Sequence, residues 1–271
     1  MGTQPSMSAT IELPVRAISG VVMAAVAVFV TVVGGILFAC FVAIGAAAAL
    51  REWHRLINGG RFAQEALISA VAVACAVFMT LFTENTEFSL LLLGAGALAA
   101  SLWAAHRQQL PFWHALGPFY VGLAAVALIE LRASPFGAYL MLGIFIAVWS
   151  ADTAALLGGR LIGGPKLVPR VSPNKTWAGF LVGTLAAGLV EAAYFAILGR
   201  NAATGLVLGL LIGLIGVAGD LFESWVKRQF RAKDSGGLIP GHGGILDRID
   251  SLLFVAPACA VLVAFPVLNP L

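Results

Sequence analysis

Charge is what this sequence has least of. Only 11% of its 271 residues are Asp, Glu, Lys or Arg, while 60% are hydrophobic. A soluble globular domain carries about a quarter charged residues. A water-soluble fold of this size could not hide so much apolar surface, because domains of modest size leave much of their surface exposed. The mean hydropathy of +0.97 points the same way. Cysteine is scarce as well: Cys40, Cys75 and Cys259 stand singly in apolar stretches with no Cys-x-x-Cys pairing. A disulfide framework or zinc site has no spacing to support it, and the three read as small core hydrophobes. There is no internal repeat, low-complexity tract or linker. No Gly-x4-Gly-Lys-Ser/Thr run is present, which argues against a P-loop nucleotide site.

What is present is a succession of long apolar runs. A membrane helix needs roughly 20 apolar residues. That length predicts an all-α polytopic membrane protein of about nine spans, near 16–32, 34–50, 64–82, 88–105, 112–130, 136–157, 176–199, 203–222 and 250–268. Gly34-Gly35 is the expected break between the first two, which could instead form one long bent helix. The first run is too long for the apolar core of a cleavable signal peptide and is read as mature protein. The chain reads as a single membrane-embedded domain, 1–271, with 1–135 as generic N-terminal spans and 136–271 as catalytic spans and loops. No polar stretch is long enough for a water-soluble catalytic domain, so chemistry is expected at the helix mouths.

With nine spans, every Lys and Arg except Arg132 and Arg200 falls on the side of the N-terminus. The positive-inside rule makes that side cytoplasmic. The net charge of +3 says little beside this asymmetry. All six Trp residues lie near span ends and are expected to form interfacial belts. Gly179, Gly183 and Gly188 fall within one helix and predict close helix packing. Glu84, Glu87, Glu130 and Glu191 are expected on or near the opposite side, in contact with water or headgroups.

The longest polar interruption is 227–248, on the cytoplasmic side. Asp220, Glu223, Ser224, Lys227 and Arg228 follow at i, i+3, i+4, i+7 and i+8, which puts them on one helix face. Next come Ser235-Gly-Gly and a stretch ending in His242-Gly243-Gly244, whose glycines let backbone approach an anion closely. Asp247 and Asp250 open the last span. Carboxylates bind hard cations such as Mg²⁺, which shares its shell with substrate phosphates. Lys, Arg and glycine-rich backbone bind the phosphates themselves. Nucleotidyl transfer needs both kinds of group. Any one pair, such as Glu223 with Lys227, could equally be an ordinary interfacial ion pair. The cluster as a whole favours function, because charge at membrane depth is costly.

The run Ser224-x-x-Lys227-Arg228-x4-Lys233-Asp234-x4-Ile239-Pro240-x-His242-Gly243-Gly244-x-x-Asp247-Arg248-x-Asp250 resembles the signature of the phosphatidate cytidylyltransferases (CDP-diacylglycerol synthases). Upstream, Ser172-Pro173-Asn174-Lys175-Thr176-Trp177 is similar to that family's Ser-Pro-x-Lys-Thr segment, and Asp152 to its preceding acidic position. Where family members commonly carry Glu, this chain has Ala178. The resemblance covers 149–251, while the first five spans match only as generic apolar segments. It implies the reaction CTP + phosphatidate → CDP-diacylglycerol + pyrophosphate, dependent on Mg²⁺ and open to a second cation. It favours Asp220 and Asp247 as metal ligands, with Glu223 and Asp250 beside them.

Lys227 and Arg228 join Asp220, Asp247 and Asp250 as the expected catalytic set. Ser172, Lys175, Thr176, Ser224, Lys233, His242, Gly243, Gly244, Arg248 and Asp152 are the expected substrate-binding set. For the loop cations, topology and attraction to anionic lipid are the plain alternatives; for Asp247, a helix cap. His242 is expected to donate a hydrogen bond or shape its loop, since an anionic phosphate nucleophile needs no strong base. Expected partners are CTP, phosphatidate and membrane lipids, with no nucleic acid and a homodimer left open. The expected location is the cell inner membrane, with the site facing the cytoplasm. A transporter would place binding groups near the midplane, and a CTP-dependent polyprenol kinase would transfer the γ-phosphoryl group. A CDP-alcohol phosphotransferase is disfavoured, because its Asp-Gly-x-x-Ala-Arg motif is absent.

Overall fold

The structure is a computed structural model that describes residues 7–83, 85–238 and 243–264, with side chains described from residue 18 onward. Glu84 and His242 lie outside the described residues. Nine helices appear among them: α1 (Met7–Val33), α2 (Gly35–Ile57), α3 (Gln64–Thr83), α4 (Thr86–His106), α5 (Pro111–Ala133), α6 (Gly137–Leu161), α7 (Trp177–Ile197), α8 (Ala202–Gln229) and α9 (Leu246–Ala264). Seven of them, α2 to α8, are long and apolar enough to cross a membrane. In α1 the apolar stretch is the shorter Ile18–Val33. In α9 the first turns carry Asp247, Arg248 and Asp250, so its apolar part is short. Nine helices are therefore present where nine spans are predicted, and seven meet the spanning criteria.

The predicted break falls at Gly34, whose φ of 72° suits glycine. Arg132, from the end of α5, donates to the carbonyls of Thr31 (2.6 Å) and Val32 (3.1 Å). It thereby satisfies acceptors that a helix C-terminus leaves open. One addition to the helical plan is a two-stranded antiparallel hairpin, β1 (Lys166–Val168) and β2 (Ser172–Thr176), in a region that reads from sequence as a loop. Three prolines in and around it mask its strand character in the sequence.

The helices form two groups. α5 packs on α2, α3 and α4, while α6, α7 and α8 pack closely in series; α9 joins the groups by touching both α5 and α8. Glycine explains the closeness in the second group. A Cβ on Gly183 would lie 2.7 Å from the Ala151 carbonyl oxygen of α6, and one on Gly205 2.6 Å from the Glu191 carbonyl oxygen of α7. Without a hydrophobic driving force between helices in lipid, this backbone approach is what gains packing energy.

Two expectations are corrected by the packing. Trp53 does not sit in an interfacial belt: it is fully buried, and its Nε1 donates to the Trp113 carbonyl at 3.0 Å. It lies within an aromatic cluster that includes Trp113 and Tyr120. Burial of its large apolar surface outweighs the interface because the indole N–H has found a partner. Glu191 is likewise buried in α7, not in contact with water or headgroups; its carboxylate and backbone lie against Gly143 of α6 and Gly205 and Gly209 of α8. The missing side chains of those glycines make the space for it.

Candidate active site

A cavity of about 560 Å³ opens among α6, α7 and α8, with the β1–β2 hairpin at its mouth. Its walls are of mixed character. Asp152, Lys175, Asp220 and Ser251 supply polar groups; Val148, Phe180, Ile212 and Val217 supply apolar surface. The glycines that let α6, α7 and α8 approach also line it, through Gly179, Gly183, Gly213 and Gly216. Local structure fixes the polar set. Lys175 projects from β2, which is tied back by the Trp177 N–H donating to the Pro165 carbonyl at 3.1 Å. Thr176 ends the strand and caps α7, its Oγ1 accepting from Gly179 N–H at 3.0 Å. The hydroxyl expected to bind substrate thus already orients a helix start, although it still lines the cavity.

Asp220 is the hub of this side. It accepts from Lys175 Nζ and from Ser251 Oγ. Asp152, exposed toward the cavity, and Asp250 lie within electrostatic range of it. Three carboxylates so close repel one another, and Lys175 offsets that repulsion for both Asp152 and Asp250. Arg248 does the same for Asp152. Asp250 also accepts from the Ser251 N–H at 2.9 Å.

A second cluster lies one to two turns further along α8. Lys227 Nζ sits between Glu223 Oε2 at 2.5 Å and Asp247 Oδ1 at 2.8 Å. Asp247 Oδ2 accepts from the N–H of Ser235 at 3.2 Å and of Gly244 at 3.0 Å. Asp247 is therefore more than a cap for α9, since it gathers the glycine-rich connection onto α8. The predicted ligand trio of Asp220, Asp247 and Glu223 does not stand as one set. Asp220 faces Lys175 and Ser251, while Glu223 and Asp247 share Lys227. Among the described residues no three His, Cys, Asp or Glu side chains converge as a metal cage. The physical reason is that buried carboxylates need a counter-charge, and on this stretch of α8 Lys227 supplies it.

The remaining predicted residues separate clearly. Arg228 donates through Nε to the Val171 carbonyl (3.3 Å) and through Nη1 to the Ala232 carbonyl (3.2 Å), which holds the hairpin turn to the end of α8. Ser172 pairs with Val168 in the hairpin. Ser224 lies on α8 outside the residues that line the cavity, and Lys233 is exposed on the connection after α8. Gly243 has a φ of 82° and Gly244 is buried. Ala178, where a carboxylate was expected by resemblance, is the second residue of α7.

Two residues escaped the sequence reading. Ser251 directly follows the motif's last Asp and could have been found by extending the motif one position. Glu52, in α2, accepts from Leu246 N–H at 2.9 Å and Ser235 Oγ at 3.3 Å. Its only signal in the sequence is a lone acid near the end of an apolar helix.

The comparison that decides the family is the match of residues 14–265 to a profile described as "Cytidylyltransferase family". The chain belongs to the cytidylyltransferase family. A relative from Brucella suis named "Phosphatidate cytidylyltransferase" is 40% identical over 252 residues, covering 90% of this chain and 91% of the relative. Relatives of the same name from Rickettsia typhi and Rickettsia bellii are 35% and 36% identical over 203 residues, 70% of this chain and 85% and 86% of theirs. The cytidylyltransferase match starts in α1, so α2 to α5, generic by the sequence reading, belong to the same family unit as the motif.

Proposed function

We propose that the chain transfers the cytidylyl group of CTP to phosphatidate, giving CDP-diacylglycerol and pyrophosphate. The observation that carries this reading is the cavity of mixed character: Lys175, Asp220 and Ser251 line the same space as Val148, Phe180 and Val217. A phospholipid phosphate with acyl chains attached needs both surfaces side by side. The family and the relatives' names support the same reading.

The chemistry follows from charge. A phosphomonoester has its second pKa near 6 and is largely dianionic at neutral pH. One of its oxygens attacks the α-phosphorus of CTP; that P–O bond forms while the bond to the bridging oxygen of the β-phosphate breaks, and pyrophosphate leaves with the electron pair. The barrier lies in bringing two anions together. Lys175, on the hairpin, is placed to leave Asp220 for an entering phosphate, and Arg160 and Lys166 flank the same mouth. Lys227 would hold the nucleotide's phosphates by exchanging one of its two carboxylate partners for them.

The donor set near Asp220 is all carboxylate and hydroxyl oxygen, which suits a hard cation. A Mg²⁺ held by Asp220 would neutralise charge on the reacting phosphates, while Glu223 and Asp247 stay with Lys227. By the distribution of Lys and Arg, the site faces the cytoplasm, with phosphatidate entering sideways from the inner membrane.

The test uses the purified chain in detergent with phosphatidate, Mg²⁺ and CTP labelled at the α- or the γ-phosphate. The α-label is expected in the lipid and the γ-label in pyrophosphate; γ-label in lipid would instead mark a kinase. Asp220→Asn is expected to lower turnover about a hundredfold or more, the scale of losing one charge-stabilising group. Equal turnover in chelator would remove the cation from the scheme.

A further inference from the structure

Glu52 has no place in the motif and stands near the cytoplasmic end of α2, yet it is 1% exposed. Its partners lie 183 and 194 residues away: Ser235 Oγ and the backbone N–H of Leu246, both on Oε2. Leu246 is the first residue of α9, whose leading N–H groups have no intrahelical acceptor. A carboxylate from another helix thus terminates α9 where the helix dipole favours negative charge. Asp247 takes the N–H of Ser235 and of Gly244. Two carboxylates therefore grip the two ends of the connection between α8 and α9, at Ser235 and at Gly244 and Leu246: Asp247 from the first turn of α9 and Glu52 from α2.

The glycines of that connection show how tight the grip is. A Cβ on Gly236 would lie 2.6 Å from Glu52 Cδ, and one on Gly244 would lie 2.5 Å from Glu52 Oε2. At these two positions glycine is required by the Glu52 carboxylate, independently of any ligand. The other Glu52 oxygen, Oε1, is buried and makes no hydrogen bond among the described residues. A buried carboxylate with one oxygen unsatisfied among the described residues is a poor way to stabilise a fold, because desolvation outweighs a partial set of hydrogen bonds.

We propose that Glu52 is a positioning residue for the reaction: it holds the glycine-rich connection, and through it Asp247 and Lys227, in the geometry that cytidylyl transfer uses. Glu52 does not touch the substrates. The proposal rests on the transfer reaction proposed above. It makes the N-terminal helices part of the catalytic apparatus, through one contact that joins α2 to the start of α9.

The test compares the full-length chain with Glu52→Ala, Glu52→Gln and Ser235→Ala, in detergent. It measures kcat and KM for both substrates per folded molecule, and the rate of tryptic cleavage after the exposed Lys233. Glu52→Ala is expected to lower kcat about tenfold or more, with KM for phosphatidate changed less than about twofold. Cleavage after Lys233 should accelerate several-fold. Glu52→Gln should recover part of the loss, because its carbonyl oxygen can still accept from Leu246. Adding Ser235→Ala to Glu52→Ala should have little further effect, since the two share one contact.

Wild-type kcat and wild-type cleavage in Glu52→Ala would overturn the proposal. So would a lower yield of folded protein with unchanged kcat per folded molecule, which would make Glu52 structural only; Ser235→Ala, a milder change, keeps the question open to measurement if Glu52→Ala does not fold. The cleavage assay needs no substrate. Faster cleavage in a chain that transfers no cytidylyl group would therefore overturn the reaction and leave the anchor of the connection standing.

Discussion

The two halves of this protein handle buried polarity in opposite ways. In α2 to α5, apart from Glu52 with its partners at Ser235 and Leu246, polar groups pair with one another inside apolar surroundings. His54 and His114 share a hydrogen bond between their Nδ1 atoms at 2.7 Å, and His54 Nε2 lies 2.9 Å from Ser69 Oγ. The hydroxyls of Thr80 and Ser89 lie 2.7 Å apart, and each lies 3.0 Å from the Ala76 carbonyl. In α6 to α9 the polar groups instead converge on a cavity and a loop, and several of them are charged. The first arrangement fixes helices against one another. The second keeps Asp152, Lys175 and Asp220 beside open space, where a ligand can exchange with an internal partner. Closed pairs make a scaffold, and open ones make a site.

That contrast can be broken by substitution. The largest effect is expected for Asp247→Asn, which keeps the size of the side chain but removes the charge facing Lys227. Turnover should fall about a hundredfold or more, measured with α-labelled CTP, while yield in detergent changes little. Next comes Lys227→Met, which leaves Glu223 and Asp247 buried without their shared cation. Breaking a buried pair in this way costs about 3–5 kcal/mol, read as a lowered Tm or as aggregation, and activity should fall with it.

Ser69→Ala tests the other half. Loss of one buried hydrogen bond should cost about 1–3 kcal/mol in thermal stability while kcat/KM per folded molecule stays within about twofold of the parent. A large kinetic effect there, with stability intact, would erase the distinction between scaffold and site. The smallest effect is expected for His242→Gln, which should retain measurable turnover, because a dianionic phosphate needs no strong general base. An inactive His242→Gln beside an active Asp247→Asn would reverse the assigned roles.

Much of this organisation was legible in the residues themselves. The apolar runs mark the helices, Gly34 marks the first break, and the helix face of Asp220, Glu223 and Lys227 can be drawn from their spacing. Lys175 and Asp152, singled out by the resemblance, both line the cavity with Asp220. Other features were not. The hairpin 166–176 is rich in proline and lacks an alternating pattern. Trp53 resembles an interfacial residue until a partner for its N–H is known. The resemblance put Asp220 and Asp247 together as metal ligands with Glu223 beside them, because a motif cannot show that Lys227 lies between two of them.

The sequence by itself determined that the chain is helical and membrane-embedded. Apolar runs of this length need lipid as solvent, and in lipid a backbone must satisfy its hydrogen bonds within each segment. It also marked one short stretch as the candidate for phosphate chemistry, since that stretch concentrates charge and glycine where apolar residues are the rule. Only the tertiary structure decided the pairings: Lys175 with Asp220, Lys227 between two acids, and Glu52 on a loop nearly two hundred residues away. Periodicity reports which face of its own helix a residue occupies. It holds no information about which distant segment will pack against that face.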